Sequence, residues 1–549
     1  MHFPASLARR LRHLAASPKE KHQGHTLLYS LCRFVLRSPI LPLGSVRMSL
    51  IGIDIGSSTT KMSAYSTGGT HLGTVYRASP PRHPQPGSWE LDPNQVWNNA
   101  IDGLRELAAK RAVKRDPPIG IAVSASMREG FPVRSDGKPL GPCIMTADTR
   151  ESGLEKEILS RYGPETWFSF CGHIPERMDM VCRLLWWEKN RPEVMEKARY
   201  FLGWAEYFSL RLTGRAVSDR SHAARWLVYD FRTDGWSPER MADLGINAGL
   251  LPEIQPWGTI IGTVDRKISG RIGLKHELEL AVGSIDVYCS ALGAGVSEGG
   301  TGCLISGSWE DIIVPVASPP PASELVKLGV STTPFPGEAG WAILALNPAG
   351  NSVLNSVRNL MNVSLDGMDQ KLEATGRGPG PVVAMPHFSG AFVPWTEATK
   401  LRGTLLGLTL GTGKIDVVKA FMESIAYDLY YTLAFLREKG VKIETLKGMG
   451  GGIASKWWTQ LKADLTMTEI ERVAQAEPGT LGAALLAGLA LGVFKSVEEK
   501  AAAFSKAGQR FKPDPERASL YSERVRLYQI LVSDLLRLDW DRIISVVSH

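Results

Sequence analysis

The sequence predicts a mixed α/β protein built as two related halves. An apolar run, Ser49–Gly56, ends in a small polar turn, and an alternating run, Thr59–Ser66, follows it, which is the pattern of a β-hairpin. The same pattern returns over residues 300–316, so each half opens on a hairpin around a small-residue loop. Elsewhere, short apolar strand runs alternate with stretches of helical spacing. At about 100–200 residues per domain, 549 residues make two to four domains, each able to bury a core.

His71–Ala78 reads as a third strand beside the first hairpin. Asp92-Pro93 is a helix start, with Asp as N-cap and Pro at the first helical position. Val96, Trp97, Ala100, Ile101, Leu104, Leu107 and Ala108 then recur at helical spacing, and Ile119–Ala125 reads as a buried strand. The region of about 150–280 is predicted helical and rich in Trp and Arg, with helices over Val181–Lys189 and Arg199–Leu212. Residues 281–296 pass from a strand end through a short loop into a Gly/Ala-rich helix. Pro315–Pro321 is a connector, and strands are predicted at 341–346 and 380–386. A long helix over 415–439, a Gly-rich turn at 448–452 and helices at 456–464 and 479–492 complete the reading. There is no short-period repeat.

With 44% hydrophobic and 22% charged residues, the chain is neither disordered at length nor collagen nor coiled coil. Its net charge of +7 at first suggests an anionic partner. All of that charge lies in residues 1–47, which hold eight Lys/Arg and one acid, Glu20. The remainder is neutral and lacks a basic, aromatic groove pattern, so a nucleic-acid function is not expected. The basic stretch 1–48 is expected not to fold; Met48 as the true start and an organelle-targeting segment are the two readings of it. The six cysteines form no C-x-x-C pair and no zinc-like cluster, which points to a reducing, cytoplasmic setting. No run of 18 apolar residues exists, so no transmembrane helix is expected; Leu481–Phe494 reads as a buried helix.

Four loops carry candidate chemistry. In Asp54-Ile55-Gly56-Ser57-Ser58-Thr59-Thr60-Lys61 an acid ends a buried strand and a Gly/Ser/Thr turn follows. Backbone N–H groups and hydroxyls of such a turn can hold phosphate oxygens, with the acid placed for a hydrated Mg²⁺; a plain hairpin turn is the alternative. Ser306-Gly307-Ser308-Trp309-Glu310 repeats the arrangement in the second half. Gly448-Met449-Gly450-Gly451-Gly452, with Ser455 beyond, permits close approach to a ligand or is a flexible loop. Gly479-Thr480-Leu481-Gly482-Ala483-Ala484 opens a helix suited to close packing or to ligand contact. Gly411-Thr412-Gly413-Lys414 is not a P-loop, because Ile415 follows the lysine and the upstream glycine is Leu408. Asp286 is a helix N-cap or a functional acid. Arg128-Glu129 is a polyol-binding pair or a surface ion pair, and Asp148-Thr149-Arg150 has the same two readings.

In order along the chain, these segments resemble the FGGY carbohydrate kinases of the sugar kinase/Hsp70/actin superfamily. The most specific match is Gly403-x-Leu405-x-Gly407-Leu408, seven residues, then Asp416-Val417-x-x-Ala420-Phe421-Met422-Glu423. The Asp54 loop, Trp89–Trp97, Ser126-Met127-Arg128-Glu129-Gly130, Asp148-x-Arg150, Gly283–Gly295 and Ser306–Glu310 also match. So do Ser389-Gly390 through Pro394, and Gly450-Gly451-Gly452 with Gln460 and Asp464. The resemblance spans about 49–535. It departs where Arg183 replaces a lysine, Thr146 an aromatic residue, and Met178 the tyrosine of glycerol kinases, which argues against glycerol as substrate.

The resemblance implies two ribonuclease-H-like, actin-like ATPase domains flanking a catalytic cleft, at 49–296 and 297–535, with a tail at 536–549. It implies transfer of the γ-phosphoryl group of ATP, with Mg²⁺, to a small sugar. A ketopentose such as xylulose or ribulose is favoured, then a hexulose or an alditol. Asp286 would be the catalytic base; Met127, Arg128, Glu129 and Asp148 would bind the sugar with it. Gly56, Ser57, Ser58, Thr59, Thr60, Lys61, Gly307 and Ser308 would approach the phosphates, Gly451, Gly452 and Ser455 would line the adenosine pocket, and Asp54 would hold Mg²⁺ through water. Kinases of this kind are often homodimers, and neither nucleic acid nor membrane is an expected partner. Two other classes are weighed: an actin- or Hsp70-like ATPase, and a catalytically dead sugar sensor. The second-half signature, Asp54 and Asp286 speak against both.

Overall fold

The computed structural model describes residues 47–390, 393–395 and 401–547. The expectation for the basic leader therefore lies outside the described residues, apart from Arg47 and Met48. Two sheets organise the rest. The first contains β1 (Ser49–Ile55), β2 (Thr59–Ser66), β3 (His71–Ala78), β4 (Pro118–Ala125), β5 (Ile260–Thr263) and β6 (Glu279–Ile285), with α1 (Pro93–Ala109) between β3 and β4. α2 (Met180–Asn190) and α3 (Trp204–Thr213) lie between β4 and β5, and α4 (Asp286–Gly293) follows β6 at once. The second sheet contains β7 (Gly300–Ser306), β8 (Glu310–Val316), β9 (Ser331–Pro334), β10 (Trp341–Asn347), β11 (Ile443–Met449), β12 (Glu469–Val473) and β13 (Ala507–Phe511). The helices of the second half are α5 (Asn351–Met361), α6 (Lys414–Glu438), α7 (Lys456–Thr466), α8 (Pro478–Ala490) and α9 (Pro515–Leu536).

The predicted twofold echo is a topological identity. The first sheet runs β5-β6-β4-β1-β2-β3 and the second β9-β10-β8-β7-β11-β12-β13. Without the edge strands β5, β9 and β13, each is an antiparallel three-strand meander whose first strand pairs in parallel with a fourth strand, which pairs in parallel with a fifth. In this arrangement the first hairpin turn of each half emerges beside the carboxyl ends of the parallel strands, where ligands collect in such sheets.

Side-chain alternation along β1 divides the first sheet into two faces. Ile51, Ile53 and Ile55 pack in one core with Trp97, Ile101 and Leu104 of α1, while Leu50 joins a second core with Leu481, Leu485 and Leu486 of α8. The second face thus takes its covering helix from the far end of the sequence. The approach is very close: a Cβ added to Gly52 would stand 1.8 Å from the Thr480 carbonyl oxygen, and one on Gly293 would stand 1.9 Å from that of Pro478. The small residues of 479–484 therefore serve close packing, one of the two readings the sequence left open. Asp92 caps α1 as expected, its carboxylate accepting the Asn94 N–H.

Several expectations are corrected. Arg199–Leu212 is not one helix: Tyr200–Leu202 is a strand paired with Phe131–Val133, and α3 begins only after Gly203. A Cβ on Gly203 would lie 2.8 Å from Glu206 Oε2 and 3.0 Å from the Glu129 carbonyl oxygen, so this junction is crowded. The region 150–280 also holds two-residue strand pairs, Val217–Ser218 with Glu253–Ile254 and Tyr229–Asp230 with Gly235–Trp236. Pro315 is inside β8, so the connector starts after Val316, and the strand near 380–386 shrinks to Val383–Met385. No loop separates β6 from α4: Asp286 is the first helical residue and Ile285 holds the N-cap position, so Asp286 is not the cap. Residues 540–547 form a further helix. Among the described residues no helix is long and apolar enough to cross a membrane.

Candidate active site

The two hairpin turns close in the same way. The Gly56 N–H donates to the Thr59 carbonyl at 3.1 Å, and the Gly307 N–H to the Trp309 carbonyl at 2.8 Å. Ser57, Ser58 and Ser308 stand exposed on them, whereas Thr60 turns inward and is buried.

Asp54 lies on the α8 side of β1, opposite Lys61 in the hairpin register. Its Oδ1 accepts the Ser124 hydroxyl at 2.9 Å, and Lys61 Nζ lies 3.7 Å from Oδ2 and 3.1 Å from Glu477. Burial raises the Asp54 pKa, while Lys61 and the Ser124 hydrogen bond oppose the rise. Glu477 also accepts the Tyr76 hydroxyl at 2.7 Å. Sequence reasoning missed Glu477, which reaches the first loop from just before α8. One carboxylate, 14% exposed beside polar turns, fits Mg²⁺, which keeps several waters and binds through one or two carboxylates plus substrate phosphates. No cluster of three or more metal-ligating side chains exists among the described residues.

The second turn is pinned from two sides. Asn351 N–H donates to the Gly307 carbonyl (2.9 Å), Asn351 Nδ2 to that of Ser306 (3.1 Å) and Ser352 Oγ to that of Ser308 (2.7 Å). Below it, Lys462 is fully buried between Glu310 at 2.5 Å and the Ser306 hydroxyl at 2.9 Å, with its ammonium over the Trp458 ring. The glycine turn packs against the same serine. A Cβ on Gly450, whose φ is +92°, would stand 2.5 Å from the Ser306 carbonyl oxygen, and one on Gly452 would stand 2.1 Å from its Oγ. That turn is therefore a fixed close approach rather than a flexible loop.

Beside it opens a pocket of about 600 Å³, lined by Asn351, Asn355, Gly451, Gly452, Ser455 and Trp458 among others. That volume suits a small-molecule or cofactor site. Ser455 caps α7 and donates its hydroxyl to Asp369 at 2.6 Å, and Asp369 also accepts the Lys456 N–H at 2.8 Å. Asp369 and Asn351 had no sequence signal, since each acts across a gap of many residues.

Asp286, at the head of α4, is half-buried, and its Oδ1 accepts the Val287 N–H at 2.8 Å. Burial first, then the negative charges of Asp54 and Glu129, push it up to about 7, against the Val287 hydrogen bond and His222. A carboxylate tuned near neutral pH is what general-base catalysis favours.

Arg128 and Glu129 are buried and do not pair with each other, so the surface ion-pair reading fails. Arg128 pairs with Glu176 and lies 3.9 Å from Asp179, and it lines a small cavity with His173 and Trp309. Glu129 accepts the Trp204 indole N–H at 2.7 Å, and burial raises its pKa. Met127 is partly buried against the α8-side core. Arg183, also fully buried, donates to the Arg128 carbonyl at 2.6 Å and pairs with Glu151 at 2.6 Å. Asp148 is fully buried; it accepts the Trp89 N–H at 2.7 Å and pairs with Arg150, which also reaches Glu90. The Trp89–Trp97 and Asp148-x-Arg150 segments, matched separately in sequence, thus meet here.

This architecture defines a class, the actin-like ATPase fold. Within it, the chain belongs to the FGGY family of carbohydrate kinases: the family's N-terminal domain matches residues 49–293 and its C-terminal domain residues 323–491. Similar proteins include a xylulose kinase of Staphylococcus epidermidis, 26% identical over 90% of this chain and 99% of that protein. A glycerol kinase of Carboxydothermus hydrogenoformans is 27% identical over 86% of this chain and 96% of its own length. Among solved structures, one titled a "xyloylose kinase" from Brucella ovis aligns with a TM-score of 0.83 at 22% identity, covering 89% of this chain and all of that one. The protein is thus a phosphotransferase with an alcohol group as acceptor.

Proposed function

We propose that this kinase transfers the γ-phosphoryl group of ATP to a hydroxyl of a small sugar, a ketopentose of the xylulose or ribulose type. The observation that carries the reading is Asp286: a carboxylate poised near neutral pH at the head of α4, in reach of the charges of Asp54 and Glu129. The similarity to xylulose kinases supports the ketopentose, and Met178, at the place of the glycerol kinases' tyrosine, speaks against glycerol.

In this reading residues 49–296 supply the sugar site and the base, and 297–535 the nucleotide site. Asp286 accepts the proton of the attacking hydroxyl. Arg128 and Glu129 orient the sugar, held by Glu176, Arg183 and Trp204, and Asp148 fixes the neighbouring Trp89 backbone. The Gly56–Thr59 and Gly307–Ser308 turns offer N–H and hydroxyl groups to the phosphates, and Gly451, Gly452 and Ser455 seat the nucleoside. Asp54 would hold Mg²⁺ through water, and the ion would supply neutralisation of phosphate charge. Domain closure keeps water from the γ-phosphate.

ADP release measured against a panel of ketoses, alditols and glycerol tests the proposal. Turnover on xylulose or ribulose above the rest supports it. ADP release that no sugar stimulates would overturn the kinase reading.

A further inference from the structure

Behind Asp286 lies a pair of side chains that the reaction scheme does not use. Asp219 and His222 are buried, each about 3% exposed; Asp219 caps the short helix Arg220–Ala223 and His222 lies within it. His222 Nδ1 donates to Asp219 Oδ2. The other carboxylate oxygen accepts both the N–H of Ser221, at 2.8 Å, and its hydroxyl. Ser221 Oγ in turn meets the Ser284 hydroxyl at 3.0 Å and accepts the Ile285 N–H at 3.3 Å. A continuous hydrogen-bonded chain therefore runs from His222 through Asp219 and Ser221 to the backbone N–H of Ile285, the residue before Asp286. At the other side of the ring, Nε2 is buried with no hydrogen-bond partner.

A buried imidazole whose Nδ1–H is held by a carboxylate is stabilised in its charged form. The charged groups around the reacting acid make that cation matter. Asp54 from β1 and Glu129 from the loop after β4 both press Asp286 toward protonation, and Asp311 of β8 is itself raised in part by Asp286. His222 is the cation that opposes them. Asp219, Glu206 of α3 and Asp286 surround the imidazole; together they outweigh its burial and hold it up to about 9.

We propose that Asp219 and His222 form a positioning pair for Asp286: the dyad fixes the β6–α4 junction and places an imidazolium where it keeps the base ionised. The pair acts through Asp286, so the proposal rests on the kinase reading of that residue.

The test is the pH dependence of kcat/KM for the sugar in His222→Asn and Asp219→Asn, each first checked for folding by thermal melt. The acid limb should move upward by about one pH unit in both, with KM for ATP unchanged and activity recovering at high pH. An unmoved limb in a folded, active variant overturns the proposal. If one variant does not fold, the other carries the kinetics. Histidine-labelled NMR of the wild type adds a readout independent of turnover. The His222 ring, assigned by its altered signal in the folded variant, should remain charged at pH 8. A ring neutral at pH 7 overturns the proposal even if the enzyme is a kinase. Wild-type protein that releases no ADP with any sugar, yet shows the charged ring, would instead overturn the kinase reading.

Discussion

Gly482 of α8 and Cys289 of α4 are in backbone contact: a Cβ on the glycine would stand 1.9 Å from the cysteine's carbonyl oxygen. The neighbour is backbone and cannot swing away, so Gly482→Ala must part the two helices. α4 carries Asp286, and Gly479 at the head of α8 packs against the Asp54 carboxylate. We expect a loss of about 1–3 kcal/mol of stability, as for overpacked cores, with a fall in kcat. Chemical denaturation and steady-state kinetics on one preparation check both.

Asp286→Asn keeps the size and the helix start but removes the proposed proton acceptor. Sugar phosphorylation should fall by about 10²–10⁴-fold, while ATP binding, measured by calorimetry, stays near wild type. Normal turnover would sink the assignment of the base.

The pH profile follows from the same residue. In its proposed role Asp286 acts as base only when ionised, and its pKa is pushed up to about 7. kcat/KM for the sugar should therefore rise through pH 7 and fall about tenfold per unit well below it. Asp54→Asn removes a repelling charge and should move the residual activity's limb to lower pH.

Asp369 anchors the rim of the pocket proposed for the nucleotide through Ser455 and the Lys456 N–H. Asp369→Ala should raise KM for ATP by about tenfold, the scale of a lost charge-assisted hydrogen bond, and leave KM for the sugar unchanged. Equal effects on both substrates would place Asp369 in the global fold instead.

Glu151 and Arg183 are both fully buried. Glu151→Ala leaves a guanidinium without its counter-ion and should cost about 3–5 kcal/mol. Because Arg183 holds the Arg128 carbonyl, any surviving protein should bind sugar more weakly.

Local periodicity made much of this fold legible. The bounds of β2 and β3 match the alternating runs, and α1 begins at the Asp92-Pro93 signal, because one face of each element meets a core and the other does not. Asp54, Gly56 and Gly307 could be found because their loops are contiguous. What stayed hidden acts across distance. Glu477 meets Lys61, Asp369 meets Ser455, and Glu176 meets Arg128, and no local pattern records such pairings. The strand Tyr200–Leu202 was hidden for another reason: its apolar residues suit either period, and only its partner Phe131–Val133 decides.

The placement of α8 has a consequence for how the protein is made. The sheet formed by β1 to β6 is complete in sequence by Ile285, yet the helix that covers one of its faces ends at Ala490. At ribosomal speeds of about 5–20 residues per second, that face waits on the order of 10–40 s for its cover. The first domain of this kinase therefore cannot finish folding as it emerges. It must hold Leu50, Ala122 and Ala281 out of aggregation until nearly the whole chain has been synthesised.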